Sequence, residues 1–364
     1  MANIIGTDMS NYKIIRKNQF ACSTMQVRGD EKMPIELLQD VDVAIISQAY
    51  PVFEVIDVNE VLPEYLMMWF TRSEFDREAC FHAVGGVRGS IEWEDFCNLQ
   101  LPIPSIDKQR AIVAEYQSIE NKIAINNQIC EKLEATAQAL YRHWFVDFEF
   151  PNEEGKPYKS SGGAMVYNEE MEKEIPEGWE VGSLGDVVAL SQGIQVEIED
   201  QFLEISSGNR FLRIIDYSPQ TLEPARFVQI FEDKYYVSKD DVVVIRYGNA
   251  GTICRRLEGI IANNLFKVMP TDQWISKNYL YYFLNDADIQ LEIKNSSGSS
   301  TMPAISHSDI KALKICYHSS IASYREFDYK VGILETTIIR FNTQNQHLTH
   351  LQSLLLSRLA KQAN

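Results

Sequence analysis

No run of 18 or more apolar residues interrupts the 364-residue chain, so no segment reads as a membrane-spanning helix. The opening MANIIGTDMSNYK lacks the basic-then-apolar order of an export signal, and the expected location is the cytoplasm, away from any membrane. The six cysteines (Cys22, Cys80, Cys97, Cys130, Cys254, Cys316) stand far apart without a C-x-x-C pair. That spacing argues against a disulfide framework and a structural zinc site and leaves them as core residues. A Gly-rich cofactor turn and an N-P-P-[YF]-like turn, which a methyltransferase acting on a base amino group needs, are both missing. The nearest approach to a nuclease-type carboxylate cluster is Asp286, Asp288 and Glu292 with Lys294, which read as solvent-facing positions of one short helix. His347 and His350 share a helix face but have no third ligand nearby, and they read as surface residues. No Ser or Cys has a local base and orienter. The chain is therefore expected to have no catalytic residue, no metal and no cofactor.

Positive charge is scarce as well. Lys and Arg number 34 against 51 Asp and Glu, a net −17, which counts against a nucleic-acid partner because phosphate binding runs on Lys and Arg. The deficit is local: residues 147–180 hold ten acidic side chains against Lys156, Lys159 and Lys173, and the rest of the chain is only mildly acidic. This stretch, with PNEEGKPYKSSGG inside it, reads either as a solvated linker or as a docking surface for a basic partner.

What is present is a degenerate internal repeat. LPEYLMMWF (62–70) lines up with SKNYLYYFL (276–284) at an offset of 279 − 65 = 214. The same offset sets Ile91 over Ile305, Asp95 over Asp309, Leu99 over Leu313 and Leu101 over Ile315. The second copy opens at IPEGWEVGSLGDVVALSQG (175–193); carried back, Gly178 falls at 178 − 214 = −36, so the first copy is expected to lack roughly 40 residues of its front end.

Each copy leads into a helical pattern. Ile112, Tyr116, Ile119, Ile123, Asn126, Cys130, Leu133, Ala137 and Leu140 recur at alternating spacings of four and three, and Leu334, Ile338, Phe341, Asn345, Leu348, Gln352, Leu355 and Leu359 do likewise. These are coiled-coil seams, each with one asparagine, Asn126 or Asn345, of the kind that fixes register. Antiparallel pairing with the two asparagines at one level gives a rod of about 45 Å. Two similar globular units braced by such a rod suit an extended, nearly twofold ligand, and duplex DNA, with its turn of about 34–36 Å, is the obvious one.

The runs LPIPSIDKQRAIVAEY (101–116), LEATAQALYRHWFVDFEFP (133–151) with KPYKSSGGAM, IPEGWEVGSLGDV (175–187), NYKIIRKNQFACSTMQVRGD and GGVRGSIEWEDF together resemble the specificity subunits of type I restriction-modification systems. The resemblance implies two target-recognition domains, each reading half of a split site in double-stranded DNA. It also implies partners that do the chemistry: two methyltransferase (modification) subunits and a restriction endonuclease subunit. The fold expected is α+β, two similar recognition domains separated by a long antiparallel two-helix coiled coil with pseudo-twofold symmetry. The expected divisions are a first recognition domain at 1–105, a central helix at 106–142, an acidic linker at 143–177, a second recognition domain at 178–320 and a C-terminal helix at 321–364. The alternative is a truncated or decoy acidic protein that binds the methyltransferase without reading DNA.

Candidate DNA contacts follow from residue chemistry. Arg28 and Lys32 lie on a Gly-containing turn, Arg88 sits between glycines beside Ser90, and Gln48 and Tyr50 precede a proline; such groups suit guanine edges and phosphates. In the second copy Arg246, Tyr247 and Asn249 follow a buried-strand run, Arg255 and Arg256 come next, and Lys294 and Ser300 belong to KNSSGSSTM. In LYRHWFVDFEFP the pattern switches to alternation, with Trp144, Val146, Phe148 and Phe150 on one face and Phe145, Asp147 and Glu149 on the other. Trp144, Phe145, Asp147 and Glu149 are the candidate surface for the methyltransferase partner.

Overall fold

The computed structural model describes residues 9–86, 89–204, 208–218, 223–296, 303–318 and 322–359. The chain divides into two compact units, Met1–Gln128 with Phe341–Asn364, and Ile129–Arg340. Both divisions fall inside long helices, so each unit consists of a globular part and a stretch of each helix.

In the first unit β1 (Lys13–Arg16), β2 (Gln19–Cys22), β3 (Ile35–Leu37), β4 (Val43–Ile46) and β5 (Val52–Glu54) make two small antiparallel sheets, β1–β4 and β3–β2–β5. The helices α1 (Pro63–Phe70), α2 (Ser73–His82) and α3 (Trp93–Cys97) follow, and α4 (Ile106–Tyr141) begins here. Pro63 opens α1, where its missing N–H costs nothing. The buried Gln109 ties the start of α4 to the start of α1: its amide nitrogen donates to the carbonyls of Glu60 (2.7 Å) and Pro104 (2.9 Å), and its oxygen accepts from the Leu62 N–H (2.8 Å). Phe20 stacks on Phe53 at 4.9 Å, and this core continues through Tyr65 and Phe75 to Val113 of α4 and Leu359.

The second unit contains β6 (Met165–Asn168), β7 (Lys173–Pro176), β8 (Glu180–Ser183), β9 (Val188–Gln192), β10 (Asn209–Leu212), β11 (Arg226–Val228), β12 (Tyr236–Val237), β13 (Val242–Ile245), β14 (Ile253–Cys254), β15 (Gly259–Ile261) and β16 (Leu265–Pro270). Then come α5 (Lys277–Leu284), α6 (Ala287–Ser296), α7 (His307–Ala312), β17 (Lys314–Tyr317) and α8 (Ala322–Leu359), which ends in the first unit. Two four-stranded sheets, β11–β10–β15–β12 and β14–β13–β16–β9, form its centre, with β17–β8 and the β6–β7 hairpin beside them. All four residues of β13, VVVI, are buried, as a strand covered on both faces requires. Ser276 caps α5 by accepting the Tyr279 N–H at 3.0 Å.

The repeat survives folding. Helices α1, α2 and α3 begin at 63, 73 and 93, and α5, α6 and α7 at 277, 287 and 307, each pair 214 apart. Tyr65 and Tyr279, the matched tyrosines, are both buried at 1% exposure.

The two long helices run antiparallel in each unit. In the first, Val113 shares a core with Leu359, and further along Asn126 donates its amide to Asn345 Oδ1 (2.7 Å) and Gln344 Oε1 (2.8 Å), while Asn345 donates to Asn127 Oδ1 (2.8 Å). In the second, Cys130 meets the Ile338 carbonyl and Tyr141 packs edge-on against Phe327.

Four expectations need correction. LYRHWFVDFEFP does not alternate as a strand: α4 ends in a π-helical turn, Arg142–Val146, which buries the neighbours Trp144 and Phe145 together. Phe145 reaches Tyr279 (4.9 Å), Tyr324 (5.0 Å) and Phe327 (5.2 Å). The stretch 143–177 is not a solvated linker, because Phe150 stacks on Tyr158 (4.7 Å) and Trp179 (5.2 Å), Ile175 is buried, and β6 pairs with β7. Asp286 is buried rather than solvent-facing, and Arg142 binds it at 2.8 Å and the exposed Asp288 at 3.2 Å. Burial alone would lower the Arg142 pKa; the two carboxylates outweigh it and hold the pKa raised. Among the cysteines, Cys22, Cys254 and Cys316 are core residues whose thiols burial pushes up to about 12, whereas Cys97 is exposed.

Truncating Phe145 to Ala should lower the stability of the second unit by about 3–5 kcal/mol, read from denaturant unfolding. A loss under about 1 kcal/mol would mean that the cluster relaxes around the missing ring.

Candidate nucleic-acid interface

In the first unit the two turns singled out by sequence are stitched together. The Arg28 N–H donates to the Gly89 carbonyl (3.1 Å), and the Arg28 guanidinium donates to the carbonyls of Gly85 (3.0 Å) and Ala83. Val84 and Ser90 exchange both backbone hydrogen bonds, closing the loop between them. A Cβ on Gly89 would meet the Val84 oxygen at 3.2 Å, a tight contact that a larger residue could enter only if the loop gave by a few tenths of an ångström. Arg88 lies outside the described residues. Arg28 thus braces the loop while remaining exposed. Lys32 and Gln48 are exposed, Ser90 and Tyr50 are half-buried, and the Tyr50 carbonyl accepts from Lys13 Nζ at 2.9 Å.

In the second unit β13 runs out into Arg246, Tyr247 and Asn249. The Arg246 N–H donates to the Asn264 carbonyl (2.9 Å), its carbonyl accepts from Ile305 (3.0 Å), and Tyr247 bridges to Ala304, which fixes the strand exit from both sides. The Arg246 guanidinium lies 5.0 Å from the Tyr247 ring centroid. Tyr247 and Asn249 are exposed. Gly251 has φ +85° and its α-carbon faces Ile293 of α6, so the turn and the end of α6 bearing the exposed Lys294 are neighbours. His307 packs edge-on against Phe266; burial, then the charge of Arg246, lowers its pKa. Ser300 lies outside the described residues.

Both turns present donors and acceptors from rigid supports, an arrangement suited to base edges and phosphates. A family model described as the type I restriction modification DNA specificity domain matches the chain twice, over residues 4–135 and 176–317. The chain belongs to the DNA specificity subunits of type I restriction-modification systems. The MjaIX specificity subunit of Methanocaldococcus jannaschii is 30% identical over 154 residues, 41% of this chain and 33% of that protein, so the match spans about a third of that relative. The HindI specificity subunit of Haemophilus influenzae is 22% identical over 95% of this chain and 86% of its own length. The crystal structure of the type I restriction-modification S subunit from M. genitalium covers 96% of this chain and 84% of its own at 17% identity and a TM-score of 0.51, a likeness of fold. In this specificity subunit the α+β architecture of two similar recognition domains with antiparallel long helices is the family's fold. Among the described residues no helix is long and apolar enough to cross a membrane.

Arg255 and Arg256, expected on a DNA-facing surface, lie instead in a network inside the second unit. Arg255 is buried: it bonds Glu335 of α8, donates to the Tyr282 hydroxyl (2.8 Å) and to Asn278 (3.2 Å), and lies 3.5 Å from the Tyr281 ring centroid. Arg256 bonds Glu134 of α4 and Glu335 (3.0 Å). Burial opposes the charge on Arg256, and the two carboxylates more than offset it. Tyr282, pushed up by burial, donates its hydroxyl to Glu335 at 2.7 Å. Sequence reasoning missed Glu134 and Glu335, although both stand beside the apolar seam as charges on a face that should be dry. Trp144 and Phe145, expected at a partner surface, are core residues for the reason already given. Asp147 is exposed, and the Ser160 N–H on Glu149 (3.0 Å) holds that carboxyl below its usual pKa.

Arg255→Ala should cost about 1–3 kcal/mol in unfolding because it leaves the buried Tyr282 and the Asn278 oxygen without their donor, while Arg256 still pairs with Glu335. Arg246→Ala should stay within about 0.5 kcal/mol of the parent protein. Comparable losses in both would put Arg246 among the structural arginines.

Proposed function

We propose that this chain is a recognition scaffold without chemistry of its own, in which each globular unit reads one half of a bipartite site in duplex DNA and the paired helices define the unread gap. The observation that carries this reading is the repeat: matched helices at a constant offset, each set joined to a stretch of the same antiparallel pair. In the second unit the reading groups are Arg246, Tyr247, Asn249, Lys294 and Ser300. In the first they are Lys32, Gln48, Tyr50, Arg88 and Ser90, with Arg28 bonded to the carbonyls of Ala83, Gly85 and Gly89. Asn126 and Asn345 fix the helix register. Methylation falls to two modification subunits and cleavage to a restriction subunit. The exposed Asp147 and the acidic residues after it are the surface offered to the modification subunit.

Co-expression with the modification subunit tests this directly. A footprint protected on both sides of a gap is the expected result; a complex that forms and protects nothing supports an interaction protein that does not read DNA. Insertion of one heptad into both long helices should widen the gap and leave each half-site sequence unchanged, and altered half-sites would refute the spacing role. Lys294→Ala should weaken binding on one side of the site and reduce the salt slope of log K by about 1. Equal weakening on both sides would remove Lys294 from the interface.

A further inference from the structure

Arg142, Arg213, Arg255 and Arg256 of the second unit each hold a carboxylate; Arg226 does not. Arg226 opens β11 opposite Phe211 of β10. It is half-buried, its Nε is buried without a hydrogen-bond partner, and among the described residues its guanidinium has no carboxylate or carbonyl to bond. A guanidinium stays charged throughout the working range of pH, and a partly desolvated charge without a counter-ion is costly. Such a group calls for an anion from outside the chain.

Its neighbours are cations as well. Arg213, just past β10, donates its backbone N–H (2.8 Å) and its Nε (3.0 Å) to Asp216 in the 3-10 turn Ile214–Tyr217, and its Nη2 to the carbonyl of Pro224 (3.1 Å), two residues before Arg226. Arg210 reaches the same carboxylate at 3.5 Å, and its Nε too is buried without a partner. Three guanidinium groups thus share one buried carboxylate, with the exposed Glu223 3.9 Å from Arg213. The exposed acids Glu199, Asp200 and Glu204 flank the Phe202↔Phe227 bridge to β11, and among the described residues they bond none of the three.

Backbone bonds set this cluster beside the turn proposed to read DNA. β10 runs parallel to β15 with Leu212 opposite Ile261, and the Ala262 N–H donates to the Leu212 carbonyl (2.9 Å), one residue before Arg213. Two residues on from Ala262, the Asn264 carbonyl accepts the Arg246 N–H (2.9 Å). The turn 262–264 therefore has Arg213 on one side and Arg246 on the other, and its Asn264 Oδ1 is a buried acceptor without a partner.

We infer, on the reading that the second unit meets duplex DNA, that its contact surface continues from Arg246 across the 262–264 turn to β10 and β11, where Arg226, flanked by Arg210 and Arg213, holds a backbone phosphate. The planar fork of arginine matches phosphate oxygens in pairs, and phosphate brings the negative charge that the chain does not provide. A guanine edge, being neutral, would leave that charge uncompensated. Asp216 orients Arg213 and Arg210 and is itself used up in doing so.

The test uses the full chain co-expressed with the modification subunit, and the probe is a pool of random-sequence DNA duplexes, whose binding runs on phosphate contacts. Arg226→Ala should weaken binding about threefold to tenfold at about 0.1 M salt and reduce the slope of log K against log salt by about 1. Arg226→Lys should keep the parent slope because it keeps the charge. The unfolding midpoints of all three proteins should agree, since the Arg226 side chain has no bond to lose. A parent complex that fails to bind the pool removes the DNA reading and this inference with it. A parent that binds while Arg226→Ala matches it in affinity and slope overturns the inference alone. So does a variant that keeps the slope and lowers the unfolding midpoint, which makes Arg226 a structural residue, or one that sheds the modification subunit at unchanged DNA affinity, which makes a protein carboxylate the anion.

Discussion

Antiparallel contact between α4 and α8 is the constraint from which the rest follows. Neither globular part has a core that closes without helix residues: Val113 and Leu359 complete the first, and Tyr141, Phe327 and Val331 complete the second. Apolar seams alone tolerate slippage by a heptad, since one leucine replaces another at little cost. Asn126 does not. Fully buried, it has its amide bonded to Asn345 and Gln344, and a shifted register would leave that amide against apolar side chains at a cost of about 1–3 kcal/mol. Sliding the helices would also part Glu134 and Glu335 from the two arginines that neutralise them.

The charge balance takes on a different meaning once the arginines are located. Arg142, Arg255 and Arg256 are spent on buried or half-buried carboxylates, and Arg28 on carbonyls of its neighbouring loop. These four arginines thus hold neighbouring elements in place within their units. The turns proposed above to meet DNA carry Tyr, Asn and Gln as well as positive charge, a chemistry suited to hydrogen bonding with base edges.

Much of the architecture was legible in the sequence because periodicity encodes it. The spacings of four and three located both helices, and a single offset placed three helix pairs. Where reading failed, the signal was ambiguous at short range. Alternating aromatics in LYRHWFVDFEFP have the period of a strand, but a π turn also brings neighbouring rings to one side, and nothing local distinguishes the two. Acidic composition suggested that 147–180 is solvated, yet Phe150, Tyr158 and Trp179, far enough apart to escape notice, stack into a small core. The site was harder still. Arginines on turns look alike whether they face water or a carboxylate more than a hundred residues away, as Arg256 and Glu134 do.

The paired arginines and glutamates bear on how such proteins diversify. Arg255 and Arg256 belong to the recognition domain, whereas Glu134 and Glu335 belong to α4 and α8, so their match is a compatibility code for grafting. A domain bearing both arginines, recombined onto foreign helices without the two acids, would bring unneutralised cations into an apolar joint. Grafting this domain onto other helices should therefore preserve the joint only where the recipient helices carry both acids at these places.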